Sequence, residues 1–170
     1  MLVGDLRSSM TFVVPFDGSA LGEAALVRAV EYGAVLEEEV VVVSVVSERE
    51  RYARQKGWVG EDEAFDVDTV VESLRERTDA LAPEATFECE RIREFPPAGG
   101  IADHIERMAQ EHDPSVLFLG SDNLGRVVTP LASVAANIAP EEGCDLHIVR
   151  RPGPPTVEGI APHSEFYDED

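Results

Sequence analysis

Residues 40–46 read VVVVSVV, an almost unbroken β-branched run. β-branched side chains favour strands. A run without polar alternation fits a strand buried on both faces, as in a parallel sheet. Upstream, residues 10–16 (MTFVVPF) form a second short apolar strand that ends at Pro15-Phe16. Asp17-Gly18-Ser19 then turns the chain, with Ser19 placed as an N-cap. A helix is expected over Ala20 to Tyr32, with Gly22, Leu26, Ala29 and Val30 on one face and Gly33 as its C-terminal stop.

Downstream of the valine run, residues 48–66 are polar and mixed and contain the single tryptophan, Trp58. They read as a long connection with helical pieces. Val67, Val70, Val71, Leu74 and Leu81 then repeat at helical spacing, and Pro83 stops that helix. Residues 85–92 suit a third strand, and Pro96-Pro97 and Gly99-Gly100 mark a loop. Ile101, Ile105, Met108 and Ala109 predict a third helix ending before Pro114. Residues 116–119 and 146–149 are short apolar strands. Between them, Thr129-Pro130 opens a helix along Leu131, Val134, Ala135 and Ile138. Strict β/α alternation implies an α/β fold, a doubly wound five-stranded parallel sheet with helices on both faces.

The 170 residues suit one domain, and no stretch reaches the roughly 18–20 apolar residues of a membrane helix. Residues 1–10 lack the apolar segment of a secretory signal, so a cytoplasmic location and no membrane insertion are expected. The 34 acidic residues outnumber the 14 basic ones, for a net charge of −20. The acids are spread along the chain, and Lys56 is the only lysine beside 13 arginines. Such self-repulsion is tolerable where salt screens it, with a Debye length of about 3 Å at 1 M. The expectation is a halophile with a salt-filled cytoplasm. The same charge argues against a nucleic-acid partner, which selects a basic face. Cys89 and Cys144 form no C-x-x-C pair and read as reduced core thiols.

Ligands of doubly wound sheets bind at the carboxyl ends of the strands, where strand order reverses. Two loops fall there. In Pro15-Phe16-Asp17-Gly18-Ser19, Asp17 either faces a ligand's ribose or base or serves as a turn cap. Gly120-Ser121-Asp122-Asn123-Leu124-Gly125 precedes a helix, where backbone N–H groups can cradle phosphate. That loop has neither the Walker A lysine nor G-x-G-x-x-G, and on its own residues an ordinary β-to-α loop explains it better. His104 and His112, at i, i+8, are too far apart on a helix to share a metal. Asp62, Asp66 and Asp68 lack EF-hand spacing. Ser19 and Ser133 show no His–Asp relay, so no catalytic residues and no metal site are assigned.

Taken together, VVPFDGSALGEAALVRAVEYGA, EEVVVVSVVSERE, VLFLGSDNLGRVVTPLASVAANIA and DLHIVR make the chain resemble the universal stress protein family, in a haloarchaeal form. The resemblance spans about residues 10–150. It divides the chain into an extension at 1–9, a universal stress protein-like domain at 10–150 and an acidic Pro/Gly-rich tail at 151–170, expected to be loosely held. Translation is expected to start at Met1 or Met10. The resemblance implies an adenine-nucleotide α-hydrolase-like sheet in order 3-2-1-4-5 and a homodimer through the last strand.

It also implies an ATP or AMP site, with magnesium. By matching positions, Pro15 and Asp17 would lie near adenine and ribose, and Val40 would contact adenine through its main chain. Gly120, with Asn123 and Gly125, would form the phosphate loop. Ser133 and Val134 would donate to phosphates. The family pattern G-x-x-G-x9-G-[S/T] is altered: Asn123 replaces a glycine, Ala132-Ser133 replaces the Gly-Ser pair, and the spacing is one residue shorter. Ala132 places a Cβ where backbone must approach phosphate. Asp122 adds negative charge, and Arg126 is the one cation nearby in sequence. The reading is a cytoplasmic regulatory module of the stress response, with a modified, weak adenine-nucleotide site and a protein partner of unspecified kind. The alternative is a dimeric interaction or signalling module that has lost nucleotide binding; a slow ATP hydrolase ranks third.

Overall fold

The computed structural model describes residues 10–97, 100–120 and 144–151. Its element order is β1 (Thr11–Pro15), α1 (Ala20–Leu36), β2 (Glu39–Ser47), α2 (Glu50–Gln55), α3 (Val67–Leu81), β3 (Thr86–Ile92), α4 (Gly100–Gln110), β4 (Val116–Gly120) and β5 (Asp145–Val149). The five strands form one sheet in the order β3-β2-β1-β4-β5, and every pairing is parallel. The doubly wound sheet expected from the alternation is therefore the one formed. The expected helix over residues 129–138 lies outside the described residues.

The valine run explains the layering. Successive side chains of a strand point to opposite faces. Val40, Val42 and Val46 join Phe12, Val14, Leu26, Ala29, Val70 and Leu74 in one core, beneath α1 and α3. Val41, Val43 and Val45 join Val13, Ile105, Met108 and Leu117 in the other, beneath α4. Ser44 is the one polar residue of the run and is 1% exposed. Its hydroxyl donates to the Phe16 carbonyl at 2.6 Å, so a buried polar group both satisfies itself and anchors the loop after β1.

One helix boundary differs from expectation. The helix predicted to stop at Tyr32 runs to Leu36, and the left-handed cap is Glu37 (φ 56°) rather than Gly33. Gly33 instead permits close packing. A Cβ there would lie 3.1 Å from both the Glu38 carbonyl and Val40 Cγ2. The connection at 48–66 contains α2, whose Tyr52 and Ala53 are buried. The bounds of α3 are those predicted, with Asp66 capping its N-terminus by accepting from the Asp68 N–H. Its apolar stripe also includes Thr78, fully buried because its hydroxyl donates to the Leu74 carbonyl at 2.9 Å.

Leu26 is fully buried between α1 and the sheet. Leu26→Ala is expected to cost about 2–5 kcal/mol in denaturant unfolding at high salt. Ser44→Ala strands the Phe16 carbonyl and should cost about 1–3 kcal/mol in the same measurement. An unchanged midpoint for Ser44→Ala would remove its anchoring role.

Candidate functional site

Strand β1 lies between β2 and β4, with its sequence successor β2 on one side and β4, paired with β5, on the other. That is where strand order reverses and a crevice opens. The turn after β1 is built residue by residue. The Phe16 N–H continues the ladder to the Val43 carbonyl at 2.9 Å. Gly18 takes φ 78°, a conformation that costs glycine little. The Ser19 N–H donates to Asp17 Oδ1 at 3.0 Å, and Ser19 Oγ accepts from the Gly22 N–H at 3.1 Å, capping α1. The Asp17 carboxylate is thereby held above the start of α1, where the helix dipole favours negative charge.

The other oxygen of Asp17 is met from across the chain. Lys56, at the C-terminal end of α2, places Nζ 3.1 Å from Asp17 Oδ2. The two side chains are 25% and 28% exposed. The Trp58 indole N–H donates to the Asp17 carbonyl at 2.7 Å. Burial is the largest single influence on the Asp17 carboxyl and acts to raise its pKa. The Lys56 charge and the hydrogen bonds from Ser19 together outweigh it and hold the carboxyl below its ordinary value. The Tyr52 phenol is pushed up to about 12, by burial first and then by the Asp17 charge. Tyr52 meets Trp58 edge-on at 5.7 Å between ring centres.

Of the residues assigned to the site from sequence, Pro15, Asp17 and Gly120 line this one crevice. Val40 does not. It pairs with Phe12 at the amino end of the sheet and borders a separate groove with Glu37, Glu39 and Ala82. The crevice is lined from β2 by Val43 and Val45 instead, because Pro15 is in register with Val43. Asn123, Gly125, Ser133 and Val134 lie outside the described residues.

Sequence reasoning missed Tyr52, Lys56 and Trp58. Arg126 was the one cation it placed near this site, whereas the fold brings Lys56 there from 39 positions away along the chain. The available signal was composition: the only lysine and the only tryptophan stand two residues apart. Ile101 and Ile105 of α4 and Leu119 complete an apolar wall.

Gly120 forms the tightest point. A Cβ there would lie 2.6 Å from the Leu21 carbonyl carbon and 2.8 Å from the Gly22 nitrogen, so β4 ends against the backbone of α1. The crevice combines flat apolar surface with one carboxylate and one ammonium, a setting for a ligand with an apolar ring and polar substituents. Among the described residues no three His, Cys, Asp or Glu side chains are grouped to hold a metal ion, and no helix is long and apolar enough to cross a membrane. His104 and His112 sit outside the crevice, paired with Glu90 and Glu88 at 3.3 and 2.8 Å.

Solved structures share this sheet. A universal stress protein from Archaeoglobus fulgidus is 19% identical, with a TM-score of 0.52, covering 83% of this chain and 98% of that one. The same organism's universal stress protein in complex with dAMP is 19% identical with a TM-score of 0.50, over 83% and 98% of the two chains. Universal stress protein UspA from Lactobacillus plantarum is 19% identical with a TM-score of 0.51, over 84% and 98%. At this identity the likeness is one of fold. No curated protein matches the sequence. A profile of the universal stress protein family matches residues 9–150, most of the sequence. With that match added to the 3-2-1-4-5 parallel sheet, the chain belongs to the universal stress protein family.

Proposed function

We propose that the protein is a cytoplasmic regulatory module of the stress response whose crevice binds an adenine nucleotide, ATP or AMP with magnesium. The observation that carries this reading is the convergence of Asp17, Gly120 and the apolar edge of β2 at the switch point of the sheet. Asp17 would take a ribose hydroxyl or base amino group. Val45 would replace Val40 beside the base, since it lines the crevice and Val40 does not. Gly120 would open the phosphate loop, continued by Asn123 and Gly125, with Ser133 and Val134 donating to phosphate. The dAMP complex of the Archaeoglobus fulgidus protein supports the choice of ligand class. The reading includes no catalytic step. Homodimerisation is proposed through β5, which stands at one end of the sheet order and offers a strand edge.

A second reading has its own observation. Lys56 already occupies one oxygen of the Asp17 carboxylate. A site satisfied by its own side chains is what a module that has lost nucleotide binding and signals through its surface would show.

Calorimetric titration of ATP, ADP and AMP, with magnesium in molar KCl, separates the two. Saturable binding is expected, weakened at least about tenfold, or ~1.4 kcal/mol, in Asp17→Ala. No heat with any nucleotide from a folded sample would overturn the first reading in favour of the second. The halophilic character is tested separately. Raising KCl from about 0.1 M to about 1 M shortens the Debye length from about 10 to about 3 Å. With a net charge of −20, the melting temperature should climb over that range. A flat or falling profile would count against adaptation to salt.

A further inference from the structure

Lys56 is the only lysine in a chain that otherwise uses arginine. It is also the only cation among the described residues lining the crevice, just as Asp17 is the only anion there. Its position is set by its backbone and its neighbours. The Lys56 N–H donates to the Tyr52 carbonyl at 3.0 Å, and Nζ lies 6.0 Å from the centre of the Tyr52 ring. An ammonium has three donors, and Asp17 Oδ2 is its one hydrogen-bonded acceptor among the described residues. A compact, rotatable point charge can add a second anionic acceptor while keeping the first, whereas arginine commits its planar fork to one geometry.

The charge balance gives this placement a consequence. Without Lys56, the crevice of a protein carrying −20 would present a lone, half-buried carboxylate to any incoming anion. With Lys56 the pair is neutral, and the opposed charges are only partly exposed, so salt screens them less than a surface pair. An uncharged ligand feels little of this difference. A phosphorylated one feels it directly, in proportion to its charge. We propose that Lys56 is the specificity-determining residue of the crevice, selecting phosphorylated adenine nucleotides over uncharged nucleosides. This rests on the nucleotide reading above and adds to it a residue outside the glycine-rich phosphate loop.

The test compares adenosine with AMP on wild-type protein, Lys56→Met and Lys56→Arg in molar KCl. Heat is one readout. Emission of Trp58 is the other, since it is the sole tryptophan and its indole is hydrogen-bonded to Asp17. Wild type is expected to bind AMP at least about tenfold more tightly than adenosine. Lys56→Met should weaken AMP about tenfold and adenosine by less than about threefold, while Lys56→Arg keeps a preference for AMP. Thermal melts confirm that each variant is folded. Equal weakening of both ligands in Lys56→Met, or no weakening of AMP, overturns the selection role while leaving nucleotide binding standing. Wild type that binds neither ligand overturns the nucleotide reading and this inference together.

Discussion

Val13 and Val14 are adjacent on β1, both fully excluded from solvent, and each faces a different helical layer. A five-residue strand with two buried faces has to be covered by helices on both sides, and parallel neighbours need crossover connections to supply them. That requirement places α1 and α3 on one face and α4 on the other. It also leaves β1 in the middle of the sheet with β2 on one side and β4 on the other. The crevice is a product of the same constraint. It lies at the carboxyl end of β1 beside β2, the strand the core buries most completely.

The electrostatics of that gap run against those of the rest of the molecule. Among the described residues most ion pairs lie at the surface, as with Arg54–Glu50 and Arg91–Asp68. Such pairs contribute little to stability in salt. Lys56–Asp17 is more sheltered and joins segments 39 residues apart. Its carboxylate is also tied to Ser19, and its carbonyl to Trp58. The pair therefore couples the turn after β1 to α2 and the following loop. A ligand that recruits either charge acts on both segments at once.

How much of this could be read from the residues depended on the range of the information. The fold class and α3 were legible because periodicity is local and Pro83 marks where α3 must end. Gly33 misled because a helical glycine and a terminating glycine look alike in sequence; its close neighbours, Glu38 and Val40, decide which it is. Val40 misled for a related reason. A run of valines carries no mark of register, and only the pairing of Pro15 with Val43 shows which end of β2 reaches the crevice. Asp17 was legible from its turn. Lys56, Tyr52 and Trp58 were not, because their partner lies far upstream; the only lysine and the only tryptophan mark the segment by composition but do not name that partner.

Ser44 and Gly120 tie the site to the fold more closely than a loop-borne site would require. Ser44 interrupts the valine run at the point where its hydroxyl can hold the Phe16 carbonyl, one residue before Asp17. Gly120 ends β4 where any side chain would strike the backbone of Leu21 and Gly22, one turn into α1. Asp17 is thus fixed from β2 through the Phe16 carbonyl and from α1 through the Ser19 cap, and β4 abuts the first turn of the same helix. The position of the carboxylate is an output of sheet register and helix packing, so a site on a turn inherits the rigidity of the core beneath it. The side of the crevice carrying Lys56 and Trp58 is different in kind. It reaches Asp17 through side-chain hydrogen bonds, from α2 and the loop that follows it. Substitutions on that side can therefore change the charge facing the crevice without disturbing the packed side that holds the carboxylate.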